Sequence, residues 1–272
     1  MTWRDRFRHL LTGPEWDGTA GTPPSGNGAS SFHLFADLPP GEWTGLRVTL
    51  EVIEPPVVPE LYFWALQAGF TDGRRSAGAA HLGLQWFPPH PGSTAVNWGG
   101  YGAGGDVLDG TTSRLPSSPG NPHTRDYRWR AGTPYELRIE RDDAHARGGR
   151  TAWRGSVTDL ERGEATVVRH LLADGHLLEG AMVWSEVFAR CDHPGAAVRW
   201  SDLVATDVGG ADARPSSVQV NYQSLADGGC ATTDVAVDDV GIVQRTGCAR
   251  CTPPGERLAF PRATEIGKDA AP

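Results

Sequence analysis

The 272-residue chain lacks any apolar run approaching the ~20 residues that a membrane-spanning helix needs. It also lacks an excess of positive charge: 25 Lys and Arg stand against 33 Asp and Glu, a net charge of −8. The basic footprint of a nucleic-acid or anionic-membrane binder is missing, so neither partner is expected. The start, MTWRDRFRHLLTGPEW, has charges but no apolar h-region, and it does not read as a secretory signal. This points to the cytoplasm and leaves an exported domain open. No G-x-S-x-G elbow, H-E-x-x-H motif or dinucleotide fingerprint occurs. The run GYGAGG lacks the Gly-Lys-Ser/Thr ending of a phosphate loop. Apolar spacing of 3.6 residues never lasts beyond two turns, which argues against a helical fold.

Sulfur is scarce as well. The four cysteines, Cys191, Cys230, Cys248 and Cys251, all lie in the last third. A reducing cytosol predicts free thiols, whereas export would permit a disulfide. Cys248 and Cys251 form CARC. With Cys191 and Cys230 they would complete a four-thiolate zinc site, although the stronger pattern of two CxxC pairs is absent. Asp238 and Asp239, with Asp234 nearby, offer carboxylates of the kind calcium accepts. No cofactor is assigned beyond these zinc and calcium candidates.

What the chain has in quantity is punctuation and aromatic rings: 35 Gly, 21 Pro and 10 Trp. Such punctuation suits many short strands joined by turns. In LRVTLEVI, Leu46, Val48, Leu50 and Val52 alternate with polar residues, which is the period of a half-buried strand. Residues 61–70, LYFWALQAGF, are apolar on both faces and read as a central strand. Further strands are read in AHLGLQWF, AVNWGGY, YELRIERD, ATVVRHLL, GAMVWSEVFARCD, AAVRWSDLVA, SVQVNYQSL and DVAVDDVGIVQ. Ten to twelve such strands without a long helix predict an all-β antiparallel sandwich. Residues 1–31 read as an extension with a short helix at best, 32–246 as the sandwich domain, and 247–272 as a tail. Residues 102–126 read as one long loop, a feature often functional.

Alternation then sorts candidate ligand groups by face. In MVWSEVF, Met182, Trp184, Glu186 and Phe188 point one way. A carboxylate between aromatics suits either a general acid of raised pKa or sugar stacking with a hydroxyl contact. The competing reading pairs Glu186 with an arginine. VRWSDLV repeats the arrangement with Trp200 and Asp202, so Glu186 and Asp202 form a candidate catalytic pair if their strands are neighbours. SVQVNYQ places Gln219, Asn221 and Gln223 on one face, a row of amides able to meet hydroxyls. In HLGLQWF, His81 and Gln85 share the polar side, while Leu82, Leu84 and Trp86 belong to the core. Asn97, Trp98 and Tyr101 follow at the entrance to the glycine-rich loop.

The stretches YRWRAGTPYELRIERD and WRGSVTDLERGEATVVRHL, with GLQW preceding VNWGG, resemble the concanavalin-A-like lectin/glucanase superfamily over residues 32–245. The resemblance implies a jelly-roll sandwich whose concave sheet face binds or cleaves carbohydrate. The paired-glutamate signature of its laminarinase-like enzymes is absent. The expected function is glycan binding by His81, Gln85, Asn97, Trp98, Tyr101, Trp184 and Asn221, with an oligosaccharide as partner. The alternatives are a glycoside hydrolase or lyase with Glu186 as acid/base and Asp202 as its partner, and a structural or protein-interaction domain.

Overall fold

The computed structural model describes residues 16–116 and 123–261. The short helix expected near the N-terminus lies outside them. The strands in chain order are β1 (Ser30–Ala36), β2 (Trp43–Glu54), β3 (Tyr62–Thr71), β4 (Ser76–Trp86), β5 (Thr94–Gly102), β6 (Thr124–Asp126), β7 (Pro134–Arg141) and β8 (Thr151–Asp159). They continue as β9 (Glu164–Ala173), β10 (Leu177–Val187), β11 (Ala197–Asp207), β12 (Asp212–Ala213), β13 (Val218–Tyr222), β14 (Thr233–Val237), β15 (Ile242–Thr246) and β16 (Arg257–Leu258). Three short 3-10 turns are the only helical elements among the described residues.

Every strand pairing is antiparallel, and the ladders form two sheets. The front sheet runs β16-β13-β1-β10-β3-β4-β5-β6. The back sheet runs β14-β15-β11-β2-β7-β8-β9, with β12 appended to β11. A single pair, Leu178 opposite Trp43, joins them. The expected all-β antiparallel sandwich is what the chain forms. Two boundaries differ from the sequence reading. The first strand, β1, was not read from the sequence, and it begins at Ser30. The tail also contributes β16, which pairs with β13. Within the expected 102–126 loop, Thr124–Asp126 forms β6 against β5.

Alternation explains the core. Leu46, Val48, Leu50 and Val52 of β2 are buried, as are Tyr135, Leu137 and Ile139 of β7, which is one face of each strand. They meet Trp64, Leu66, Phe70, Leu82, Leu84, Val96 and Trp98 of the front sheet in one hydrophobic cluster. Phe70 stacks on Trp153 with ring centroids 5.1 Å apart. Gly155 of β8 makes room for Trp98. A Cβ there would sit 2.7 Å from the indole ring, well inside contact distance.

A polar pin also crosses the core. The Gln244 side chain of β15 is buried and makes three hydrogen bonds. Its Oε1 accepts from Ser185 Oγ at 2.8 Å and from Trp200 Nε1 at 2.8 Å, and its Nε2 donates to the Phe32 carbonyl at 2.9 Å. Bonded at both its oxygen and its nitrogen, this buried amide ties the two sheets.

Cys191 and Cys230 are joined in a disulfide, with Cα atoms 5.4 Å apart. The expectation of free thiols fails for this pair. The cause is proximity: Thr232 Oγ1 donates to the Cys191 carbonyl at 2.7 Å, and the Cys230 amide donates to Ser30 Oγ at 2.8 Å, which fixes both segments side by side. Cys248 and Cys251 remain thiols. A four-thiolate zinc site is thereby removed, because two of its sulfurs are bonded to each other. The calcium candidate fails too. Asp238 accepts from Arg199 at 2.8 Å and from the amides of Val240 and Gly241, and Asp234 accepts from the Thr252 amide. These are ion-paired and turn-capping carboxylates rather than an open oxygen cage.

Candidate functional site: the outer face of the front sheet

Register turns the outward residues of the front sheet into four ranks that cross it. The first holds Ser31, Glu186, Phe63, Gln85, Ala95 and Asp126. The second holds Asn221, His33, Trp184, Ala65, Gly83, Asn97 and Thr124. The third holds Gln219, Phe35, Met182, Gln67, His81 and Gly99. Beyond a bulge in β10 between Glu179 and Met182, the fourth holds Glu179, Gly69, Ala79 and Tyr101.

Seven of the nine residues singled out from the sequence therefore share this face: His81, Gln85, Asn97, Tyr101, Trp184, Glu186 and Asn221. Two do not. Trp98 is fully buried on the opposite side of β5, where its Nε1 donates to the Trp153 carbonyl at 3.4 Å. Asn97 and Trp98 are adjacent in a strand, so only one can face outward. Asp202 lies on β11 in the back sheet. It has a left-handed φ of 52°, in a register shift between Ser201 and Val204. That bulge breaks the alternation that had aligned Asp202 with Trp200. Its carboxylate takes the Arg214 guanidinium at 3.1 Å and does not meet Glu186.

The centre of the face is aromatic. Trp184 meets Phe63 edge-on at 4.9 Å and His81 at 5.7 Å, and Phe63 meets His81 at 5.4 Å. These are the offset geometries that ring quadrupoles favour. Trp184 is only 6% exposed, and its Nε1 donates to Gln67 Oε1 at 2.9 Å. It forms a floor rather than an open stacking platform. Burial, helped by the charge of His123, lowers the pKa of His81 to about 4, so its ring is neutral at pH 7. Burial also lowers the pKa of His33. It raises that of Glu186, against the opposing effect of Asn27, whose Nδ2 donates to Glu186 Oε1 at 2.8 Å.

Polar atoms on this face go unmet. Among the described residues His33 Nδ1, Gln85 Oε1 and Asn97 Oδ1 are buried without a hydrogen-bond partner. The Asn97 Nδ2 does donate, to Thr124 Oγ1 at 2.8 Å. Unmet buried polar atoms are few in native proteins and call for a reason.

Two open clefts flank the aromatic centre. One, of about 580 Å³, has a floor of Gly69, Gly78 and Ala79, with Gln67, Glu179 and Tyr101 around it. Tyr101 is 55% exposed, the only large ring of these ranks so open besides Phe35 at 37%. Gly78, at φ 118°, lets the strands close there, since a Cβ would strike the Tyr101 carbonyl. The other cleft, of about 620 Å³, is edged by Asn27, Ser31, His33, Gln223 and Asp227. Sequence reasoning missed His33, Phe63, Gln67 and Asn27. The signal for Gln67 was present: it is the polar member of the Phe63, Ala65, Gln67 series in a strand read as apolar throughout.

No family model matches the chain, and no curated protein matches it. Among solved structures the chain is similar to a scytalido-glutamic peptidase bound to a peptide-based transition-state analogue, at 12% identity and TM-score 0.43, over 84% of this chain and 99% of that one. SCP-B, a member of the eqolisin family of peptidases in complex with the tripeptide Ala-Ile-His, gives 12% identity and TM-score 0.39, with the same coverage. The enzymatically active domain of bacteriophage CBA120 tailspike protein 2 gives 16% identity and TM-score 0.27, over 72% of this chain and 25% of that one. Likeness this distant carries no inference about chemistry, and the concanavalin-A-like resemblance rests on strand rhythm alone. No helix among the described residues is long and apolar enough to cross a membrane.

Proposed function

We propose that the outer face of the front sheet binds an oligosaccharide, without chemistry of its own. The observation that carries this reading is the cleft at Tyr101. There an exposed phenol ring lines the same cleft as Gly69, Gly78 and Ala79, with the side chains of Gln67 and Glu179 beside them. A ring face packs against the apolar face of a pyranose, amide and carboxylate groups meet its hydroxyls, and a side-chain-free floor lets the sugar approach backbone. Asn221, exposed beside Gln219 and Gln223, supplies amides at the far edge of the same face. Trp184 and His81 hold the floor between, and Gln85 and Asn97 contribute acceptors beneath it. β13 and β5 are five strand spacings apart, about 24 Å. That span suits a chain of several sugars rather than one. The Cys191–Cys230 disulfide favours an oxidising compartment, where free glycans are met. A glycan array tests the proposal. We expect hits that weaken at least tenfold in Tyr101→Ala; no binding across the array counts against it.

A second reading is hydrolysis with Glu186 as the proton donor. Its support is the burial that raises the Glu186 pKa on this face. Asp202 does not serve as its partner. Activity toward an array hit that survives Glu186→Gln would end this reading.

A further inference from the structure

Outside the ranks of the front face, where β7 ends and β9 runs past, three metal-ligating side chains converge. Asp142 follows β7, His145 sits on the 3-10 turn Asp143–His145, and His170 comes from β9. We propose that Asp142, His145 and His170 form a site for a divalent transition metal of the zinc class.

Both imidazoles already aim at one carboxylate oxygen. Asp142 Oδ2 lies 3.1 Å from His145 Nδ1 and 3.0 Å from His170 Nε2, and the three ligand atoms fall within 4.8 Å of one another. Zinc bonds of 2.0–2.1 Å in a tetrahedron put neighbouring ligand atoms about 3.3 Å apart. The two measured edges need to open by only a few tenths of an ångström. A metal ion would take the place between the carboxylate oxygen and the two facing ring nitrogens, each neutral imidazole keeping its one proton on its other nitrogen, and would leave a fourth position for water. Two nitrogens and one oxygen select zinc, copper or nickel over calcium or magnesium, which take oxygen.

The site is fixed on one side and adjustable on the other. His170 is buried, and its backbone is clamped by the segment before it in space: its amide donates to Thr111 Oγ1 at 3.0 Å and its carbonyl accepts from the Thr111 amide at 2.9 Å. The Asp142 amide is held by the Ala152 carbonyl at 2.9 Å. The His145 ring stacks on His170 at 4.0 Å with planes 15° apart, so ligation requires that it turn. His145 is about half exposed on a three-residue turn and has the room to do so. The nearby cation does not bar the ion. Arg154 approaches Asp142 at 3.7 Å, yet its Nε and Nη2 both donate to Glu140 Oε1 at 3.1 and 2.9 Å, which offsets its charge. A bound ion would tie the β7–β8 connection to β9.

Calorimetric titration of the intact protein with zinc, and the visible absorption spectrum of the cobalt(II) form, test this. We expect one zinc per chain and a cobalt spectrum of four-coordinate nitrogen–oxygen type, with a raised unfolding midpoint in zinc. His145→Ala, chosen because its exposed side chain leaves the fold intact, weakens binding at least about tenfold. His170→Gln does the same, with circular dichroism reporting its fold. Cys248→Ser/Cys251→Ser leaves the affinity unchanged. Absence of saturable binding at millimolar zinc, equal affinity in His145→Ala, or binding that disappears with the two cysteines would each overturn the proposal.

Discussion

Trp98 separates a core side chain from a ligand contact, and its removal gives the sharpest test of the face assignment. The ring is fully buried, lies over Gly155, and donates to the Trp153 carbonyl. Trp98→Ala removes that packing and leaves a cavity between the sheets, at a cost of about 3–5 kcal/mol. For a domain of this size each kcal/mol moves the melting midpoint by roughly 2–4 °C, which gives a drop of about 6–20 °C. Tyr101→Ala, at a half-exposed ring, should stay within about 0.5 kcal/mol of the parent. Gly155→Ala drives a methyl to within 2.7 Å of the indole and should cost about 1–3 kcal/mol by overpacking. In the Trp98→Ala background that penalty should vanish, because the atoms it strikes are gone. Urea unfolding followed by circular dichroism on the four proteins of this cycle measures the coupling. A Trp98→Ala cost below about 1 kcal/mol, or additive effects of the two substitutions, would refute the packing described here.

Two further outcomes follow from named groups. Burial holds the His81 pKa near 4, below its ordinary 6.5, so between those pH values the unfolded chain carries a proton that the folded chain does not. Stability should therefore rise from pH 4 to pH 6.5, by on the order of 3 kcal/mol for this group, and His81→Gln should flatten that part of the profile. The Cys191–Cys230 bridge closes a loop of 39 residues, for which chain entropy gives about 4 kcal/mol. Cys191→Ser/Cys230→Ser, compared with the parent in urea, should lose most of it; an unchanged midpoint would show the bridge does not constrain the unfolded chain.

Strand periodicity carried much of this fold and failed at identifiable places. It put Met182, Trp184 and Glu186 on one face and His81 with Gln85 on another strand's outer side, and register brought those strands together. It could not see the bulge at Asp202, because a single left-handed residue inserts without changing the look of the sequence. It was misapplied at Asn97 and Trp98, neighbours that a strand must send to opposite faces. Compartment alone leaves free thiols and a disulfide both open, whereas the Cys191–Cys230 pairing depends on which loops meet. The Asp142, His145 and His170 cluster is hidden for another reason. His170 joins the other two only through the β8–β9 register that sets it opposite Arg154, 28 residues along the chain from Asp142.

The central claim is that one sheet face, from Asn221 to Tyr101, is a ligand surface. The most direct measurement is a nuclear magnetic resonance titration with the tightest oligosaccharide from a glycan array. The account predicts shift changes confined to that face, including Tyr101, Gln67 and Asn221, with none at Asp202 or Trp98. Changes centred on the back sheet, or none at saturating sugar, would contradict it.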